Sequence, residues 1–174
     1  MIFKRVLGLL ICVALALPCF AQMMGGGNPR GKAEMKAGTG SITVEYGRPP
    51  LKGRDMLSQL QEGKFWRMGA DMATVLNTPV DLAFGAIKVP KGAYSLWLKR
   101  SAPEKFELVF NSQTGQWGMQ HDVSKDVYAV QMKKDALPSS VEMFTIDLKS
   151  APKGGVFVLN WGTTALSADF QFAQ

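Results

Sequence analysis

Strict alternation of apolar and polar residues over five separate runs most narrows what this chain can fold into. Ile42, Val44 and Tyr46 alternate with Ser41, Thr43 and Glu45, and Tyr94, Leu96 and Leu98 alternate with Ser95, Trp97 and Lys99. Phe106, Leu108 and Phe110 form a third set, and Phe144, Ile146 and Leu148 a fourth. Leu166, Ala168, Phe170 and Phe172 complete the series. A period of two sets one face of each run on a core and turns the other toward water. Turn chemistry separates the runs. Gly85-Ala86 fits a two-residue hairpin turn with glycine first, and Pro90-Lys91-Gly92 presets a turn through its proline. Gly154-Gly155 and Gly162-Thr163 are expected to do the same near the end. The one helical candidate is Asp55 to Glu62, two turns at most, with Met56, Leu57 and Leu60 on one side. The expected fold is all-β: an antiparallel β-sandwich, or a partly closed barrel, with at most one short helix.

The start of the chain reads as a cleavable secretory signal over residues 1–21. Lys4-Arg5 precede an apolar run from Val6 to Leu17, and the small residue Ala21 offers the cut. About a dozen apolar residues fall short of the ~20 that a spanning helix needs. Ala16-Leu17-Pro18 ahead of Cys19 is a poor match to a lipidation signal. The two cysteines, Cys12 and Cys19, both belong to this segment. The mature chain is therefore expected to have no disulfide, no thiolate metal site and no cysteine nucleophile. Residues 22–40, with Met23-Met24-Gly25-Gly26-Gly27-Asn28-Pro29, are expected to form a flexible N-terminal segment. Adjacent methionines suit Cu(I), but two of them without a third soft ligand read as a tail. Residues 41–174 are expected to form a single domain, long enough to bury a full core. The expected location is the periplasm or the medium.

The formal charge is +6, of which Lys4 and Arg5 leave with the signal, and the other basic residues are scattered. That pattern argues against a nucleic-acid partner. With one histidine, His121, a multi-histidine zinc site is excluded, and neither a Gly-x-Ser-x-Gly elbow nor a phosphate-cradling loop is present. No cofactor and no metal site is expected. His121, Asp122 and Asp126 form a small polar cluster in a glycine-bearing stretch, where a lone histidine is more often solvated than catalytic. Met119 nearby adds a weak copper signal. The densest chemistry lies between Arg48 and Thr74. Arg48, Lys52, Arg54, Trp66, Arg67 and Asp71 could line a ligand cleft, since guanidinium forks clamp anions and indole offers a flat platform. The plainer alternative is a long connection pinned to the core by Trp66 and by an Arg67–Asp71 or Arg67–Glu142 pair.

Several blocks carry a resemblance. These are Lys52-Gly53-Arg54, Gly63-Lys64-Phe65-Trp66-Arg67-Met68-Gly69-Ala70-Asp71-Met72-Ala73-Thr74 and Val89-Pro90-Lys91-Gly92-Ala93-Tyr94-Ser95-Leu96. Asn111 to Gly118, Glu142 to Asp147 and Leu159-Asn160-Trp161 follow in order. Together they resemble the exported bacterial family DUF2911, over roughly Ile42 to Phe172. The resemblance implies a β-sandwich-like fold and carries no established catalytic residue. It also implies asparagine at position 71 and an arginine near position 129, where this chain has Asp71 and Ala129. The favoured function is a non-enzymatic module that binds a small molecule, glycan or envelope partner through the Arg48–Thr74 region. The alternatives are an envelope hydrolase using Asp71, His121, Asp122 or Glu142, and a purely structural envelope protein. Oligomeric state is left open.

Overall fold

The computed structural model describes residues 27–173. The expected signal and the Met23-Met24 pair lie outside the described residues. Ten strands form one continuous antiparallel order that folds over on itself without closing into a barrel. In chain order they are β1 (Arg30–Ala37), β2 (Gly40–Gly47), β3 (Phe65–Trp66), β4 (Thr74–Thr78), β5 (Leu82–Phe84), β6 (Ile87–Val89), β7 (Gly92–Ala102), β8 (Lys105–Asn111), β9 (Asp126–Ala151) and β10 (Gly154–Phe172). Their spatial order is β1-β2-β4-β7-β8-β9-β10-β5-β6, and β3 lies beside β7 beyond the end of β4. Among the described residues no helix is long and apolar enough to cross a membrane.

The sandwich is made by β9. Its first part, up to Met132, pairs with β8, and from Lys133 onward it pairs with β10. The same strand therefore belongs first to a front layer and then to a back layer. Leu137 to Ser140 stand opposite Thr163 alone, so β9 bulges where Pro138 cannot donate to a ladder. Between the layers lies one core. Ile42, Val44, Leu76, Leu96, Leu98, Leu108 and Phe110 meet Phe144, Ile146, Phe157, Leu159, Leu166 and Phe170. The Tyr46 hydroxyl crosses the core to donate to the Ile146 carbonyl at 3.1 Å.

Two expectations are corrected, and a third is narrowed. Residues 22–40, expected to be flexible, supply β1, whose Ala33, Met35 and Ala37 turn inward between Lys32, Glu34 and Lys36. Small side chains made that alternation faint. Gly154-Gly155 and Gly162-Thr163 do not end strands. Gly154 and Gly155 open β10, because Pro152-Lys153 makes the turn, and Gly162 (φ +57°) sits at an irregularity within it. The helical candidate shortens to one turn, α1 (Met56–Gln59), in which the Asp55 carboxylate caps the Ser58 amide at 3.0 Å. The Gly85-Ala86 hairpin joins β5 to β6 as expected.

Candidate functional site

Strand β7 is buried on both faces from Tyr94 to Leu98. Tyr94, Leu96 and Leu98 point into the main core. Trp97 packs instead with Phe65, Ala73 and Val109 in a second, smaller cluster. The chain between β8 and β9 covers that cluster and is pinned at several points. Met72 and Trp117 form an isolated antiparallel bridge, Gly118 donates to the Asp71 carbonyl at 2.9 Å, and Ala73 donates to the Gln116 carbonyl at 3.1 Å. A Cβ at position 118 would stand 2.4 Å from Arg67 Cδ and 2.6 Å from the Asp71 oxygen, so this close approach needs glycine.

The covering segment brings His121 down flat on Trp97. The rings stack at 4.1 Å and 11°, with Phe65 edge-on to the imidazole at 4.5 Å. His121 Nε2 lies 2.8 Å from Asp126 Oδ1, which also accepts from Asn111 Nδ2 at 2.7 Å. The histidine expected to be solvated is thus enclosed, its side chain only 11% exposed. Asn111, fully buried, donates as well to the Asp122 carbonyl and accepts from the Gln113 amide. Below them, Ser95 Oγ accepts from both Trp97 Nε1 (3.1 Å) and Gln116 Nε2 (2.9 Å). Asp122 caps a 3-10 turn, Val123–Lys125, and hydrogen bonds from the Ser124 hydroxyl and then its amide hold that carboxyl below its usual range. Replacing Asn111 with Ala strands three polar partners, which is expected to cost about 2 kcal/mol. Urea unfolding measures the loss, and hydrogen exchange should quicken across residues 112–125.

Beside this cluster runs a shallow groove of about 270 Å³, lined in part by Phe65, Lys99, Glu107, Val109 and Val127. Lys99 pairs with Glu107 at 3.7 Å and lies over the Phe65 ring at 5.7 Å. Five large apolar side chains stand exposed among the described residues: Met72, Trp117, Met119, Val123 and Val127. Trp117, Met119 and Val123 fall on this covering segment, Val127 follows it at the start of β9, and Met72 is bridged to it. Trp117 is 47% exposed.

The six residues expected to line a cleft are not gathered into one site. Arg48 gives Nε to the Phe144 carbonyl at 3.2 Å and Nη2 to Thr145 Oγ1 at 3.2 Å. Lys52 is exposed, and its backbone amide binds Glu142 Oε1 at 3.0 Å. Arg54 is exposed beside it. Trp66 lies against the core, stacked on Trp161 at 5.2 Å and 9°. Arg67 Nε donates to the Gly69 carbonyl at 3.2 Å and, among the described residues, forms neither of the ion pairs considered from sequence. Asp71 (φ +65°) accepts from the backbone and side chain of Asn28. Arg67 and Asp71 are brought together at Gly118, while Lys52 and Arg54 sit at the α1 side.

Sequence reasoning missed Trp97, Asn111 and Trp117. One signal for the first was present: a tryptophan on the polar side of an alternating run implies that the second face is covered as well. The family model described as a protein of unknown function (DUF2911) matches residues 28–170, so the chain belongs to that family. No curated protein and no solved structure matches it.

Proposed function

We propose that this member of the DUF2911 family is an exported, non-enzymatic binding module that takes an envelope glycan on the outer face of its front layer. The observation that carries this reading is the gathering of all five exposed large apolar side chains on Met72 and the segment from Trp117 to Val127. A monomeric protein rarely leaves such side chains together without use. Indole suits the apolar face of a sugar ring, and Gln120, whose Oε1 accepts from the Trp117 amide, leaves its amide nitrogen to meet a hydroxyl group. The Arg48–Thr74 region contributes Phe65, Arg67 and Met72 to this face. The basic N-terminal signal pattern supports placing the protein where it would meet such glycans. The acids considered for hydrolysis already have separate structural partners: Asp71 holds Asn28, Glu142 holds the Lys52 amide and Asp122 caps a turn. That dispersal favours binding over turnover.

The test is a thermal-shift and calorimetric screen of envelope glycans on the parent and on Trp117→Ala. Trp117 is half exposed, so its loss is expected to change stability by less than ~0.5 kcal/mol. Binding is expected to weaken about thirtyfold, the ~2 kcal/mol of an aromatic anchor. A variant that binds every glycan as the parent does, or a parent that binds none, contradicts the reading.

A further inference from the structure

Asp126 Oδ1 accepts from Asn111 Nδ2 at 2.7 Å and lies 2.8 Å from His121 Nε2. A carboxylate oxygen has no proton to give, so Nε2 carries the hydrogen, and it is Nδ1 whose lone pair a metal ion would take. Nδ1 makes no hydrogen bond among the described residues. It is also not one of the three enclosed unpaired side-chain atoms, which are Arg100 Nε, Gln116 Oε1 and Trp161 Nε1. The stack on Trp97 and the edge of Phe65 fix the plane of the ring. A carboxylate behind an imidazole whose other nitrogen is free is the arrangement that orients metal-ligating histidines and raises their basicity.

The second donor is Met119. The residue is 75% exposed, so it has no packing role, and it lines one open pocket of about 390 Å³ with His121, Gln113, Gln120 and Asp122. Asp122 is occupied by Ser124 and, at 3.6 Å, by Lys125. Among the described residues no three of His, Cys, Asp and Glu converge, so the donor set here is one nitrogen and one thioether rather than a hard cage. A thioether favours soft ions, and Cu(I) accepts low coordination numbers.

We propose that His121 Nδ1 and Met119 Sδ form a binding site for Cu(I), with Asp126 as the orienting partner on Nε2. This goes beyond glycan binding and stands or falls separately from it. The test titrates the purified protein with Cu(I) without oxygen, and with Ag(I) as a redox-inert substitute, while the ring nitrogens of the single histidine are followed by NMR. The expected result is a large shift of Nδ1 at one equivalent, with Nε2 keeping its proton. Met119→Leu, at an exposed position, should fold as the parent does and weaken binding at least about tenfold, and Asp126→Asn should weaken it about tenfold. His121→Gln should abolish the site. Binding that leaves Nδ1 unmoved, as it would if Met23 and Met24 held the ion, overturns the proposal. So does undiminished affinity in Met119→Leu, or tighter binding of Zn²⁺ than of Ag(I) at Nδ1.

Discussion

Trp66→Ala is expected to lower the unfolding free energy by about 3 kcal/mol, the low end of the range for deleting a large aromatic side chain, because the indole is partly buried against the core. The indole stacks on Trp161 at 5.2 Å and meets Phe144 edge-on at 5.1 Å, and Trp161 meets Phe144 at 5.6 Å. Each ring of this triad rests on the other two, so removing one leaves a void that the others cannot fill without breaking their own contact. Domains of this kind are stable by ~5–15 kcal/mol, so the variant should be close to marginal. Trp66→Phe keeps a ring against Phe144 and is expected to recover more than half of the loss. Urea unfolding of the three proteins decides the matter. A loss below ~1 kcal/mol would free Trp66 from its anchoring role and return it to the list of ligand contacts.

Gly47→Ala is expected to cost about 3 kcal/mol, at the top of the range for overpacking. A Cβ there would lie 2.1 Å from the Ala70 carbonyl oxygen and 2.9 Å from its nitrogen. Both are backbone atoms, so no side chain can swing aside. The same crossing recurs from the other strand of chain, where a Cβ on Gly69 (φ +143°) would lie 2.7 Å from the Gly47 oxygen. Relief therefore requires shifting either the end of β2, and with it Arg48 and its bond to the Phe144 carbonyl, or the turn that follows Trp66 and Arg67. Gly53→Ala is the control. Gly53, unlike Gly47, is left-handed (φ +70°) and has no atom within 4 Å of the added methyl, so backbone strain alone should cost ~1–2 kcal/mol. A Gly47→Ala loss no greater than ~1 kcal/mol, below the Gly53→Ala strain cost, would mean that the close approach at Gly47 carries no special cost.

The fold was legible where large apolar residues alternate. Tyr94 to Leu98, Phe106 to Phe110 and Phe144 to Leu148 all lie in strands with the expected faces inward. It was obscured where alternation used Ala33 and Ala37, whose small side chains give little contrast with lysine. The length of β9 and β10 was hidden for a different reason. Pro138 and Gly162 signal a break locally, yet a bulge absorbs both and lets the strands continue across two layers. The site was harder to read. Arginine density between Arg48 and Arg67 suggested an anion clamp, but two of those guanidinium groups are spent on backbone carbonyls, a choice set by which carbonyls the fold leaves free. The enclosure of His121 depends on Trp97, twenty-four residues earlier, and local sequence contains no trace of that stack.

The four tryptophans give the most direct test of the central claim, because their indole N–H groups stand in different surroundings. Trp97 donates to Ser95, Trp161 is enclosed without a partner, Trp66 is packed on Trp161 and Trp117 faces water. Indole resonances recorded during titration with the glycan selected by the screen should show Trp117 moving, Trp97 following weakly through the covering segment, and Trp66 and Trp161 fixed. Movement of Trp66 with Trp117 unmoved would contradict the account and place the ligand in the Arg48–Trp66 segment instead.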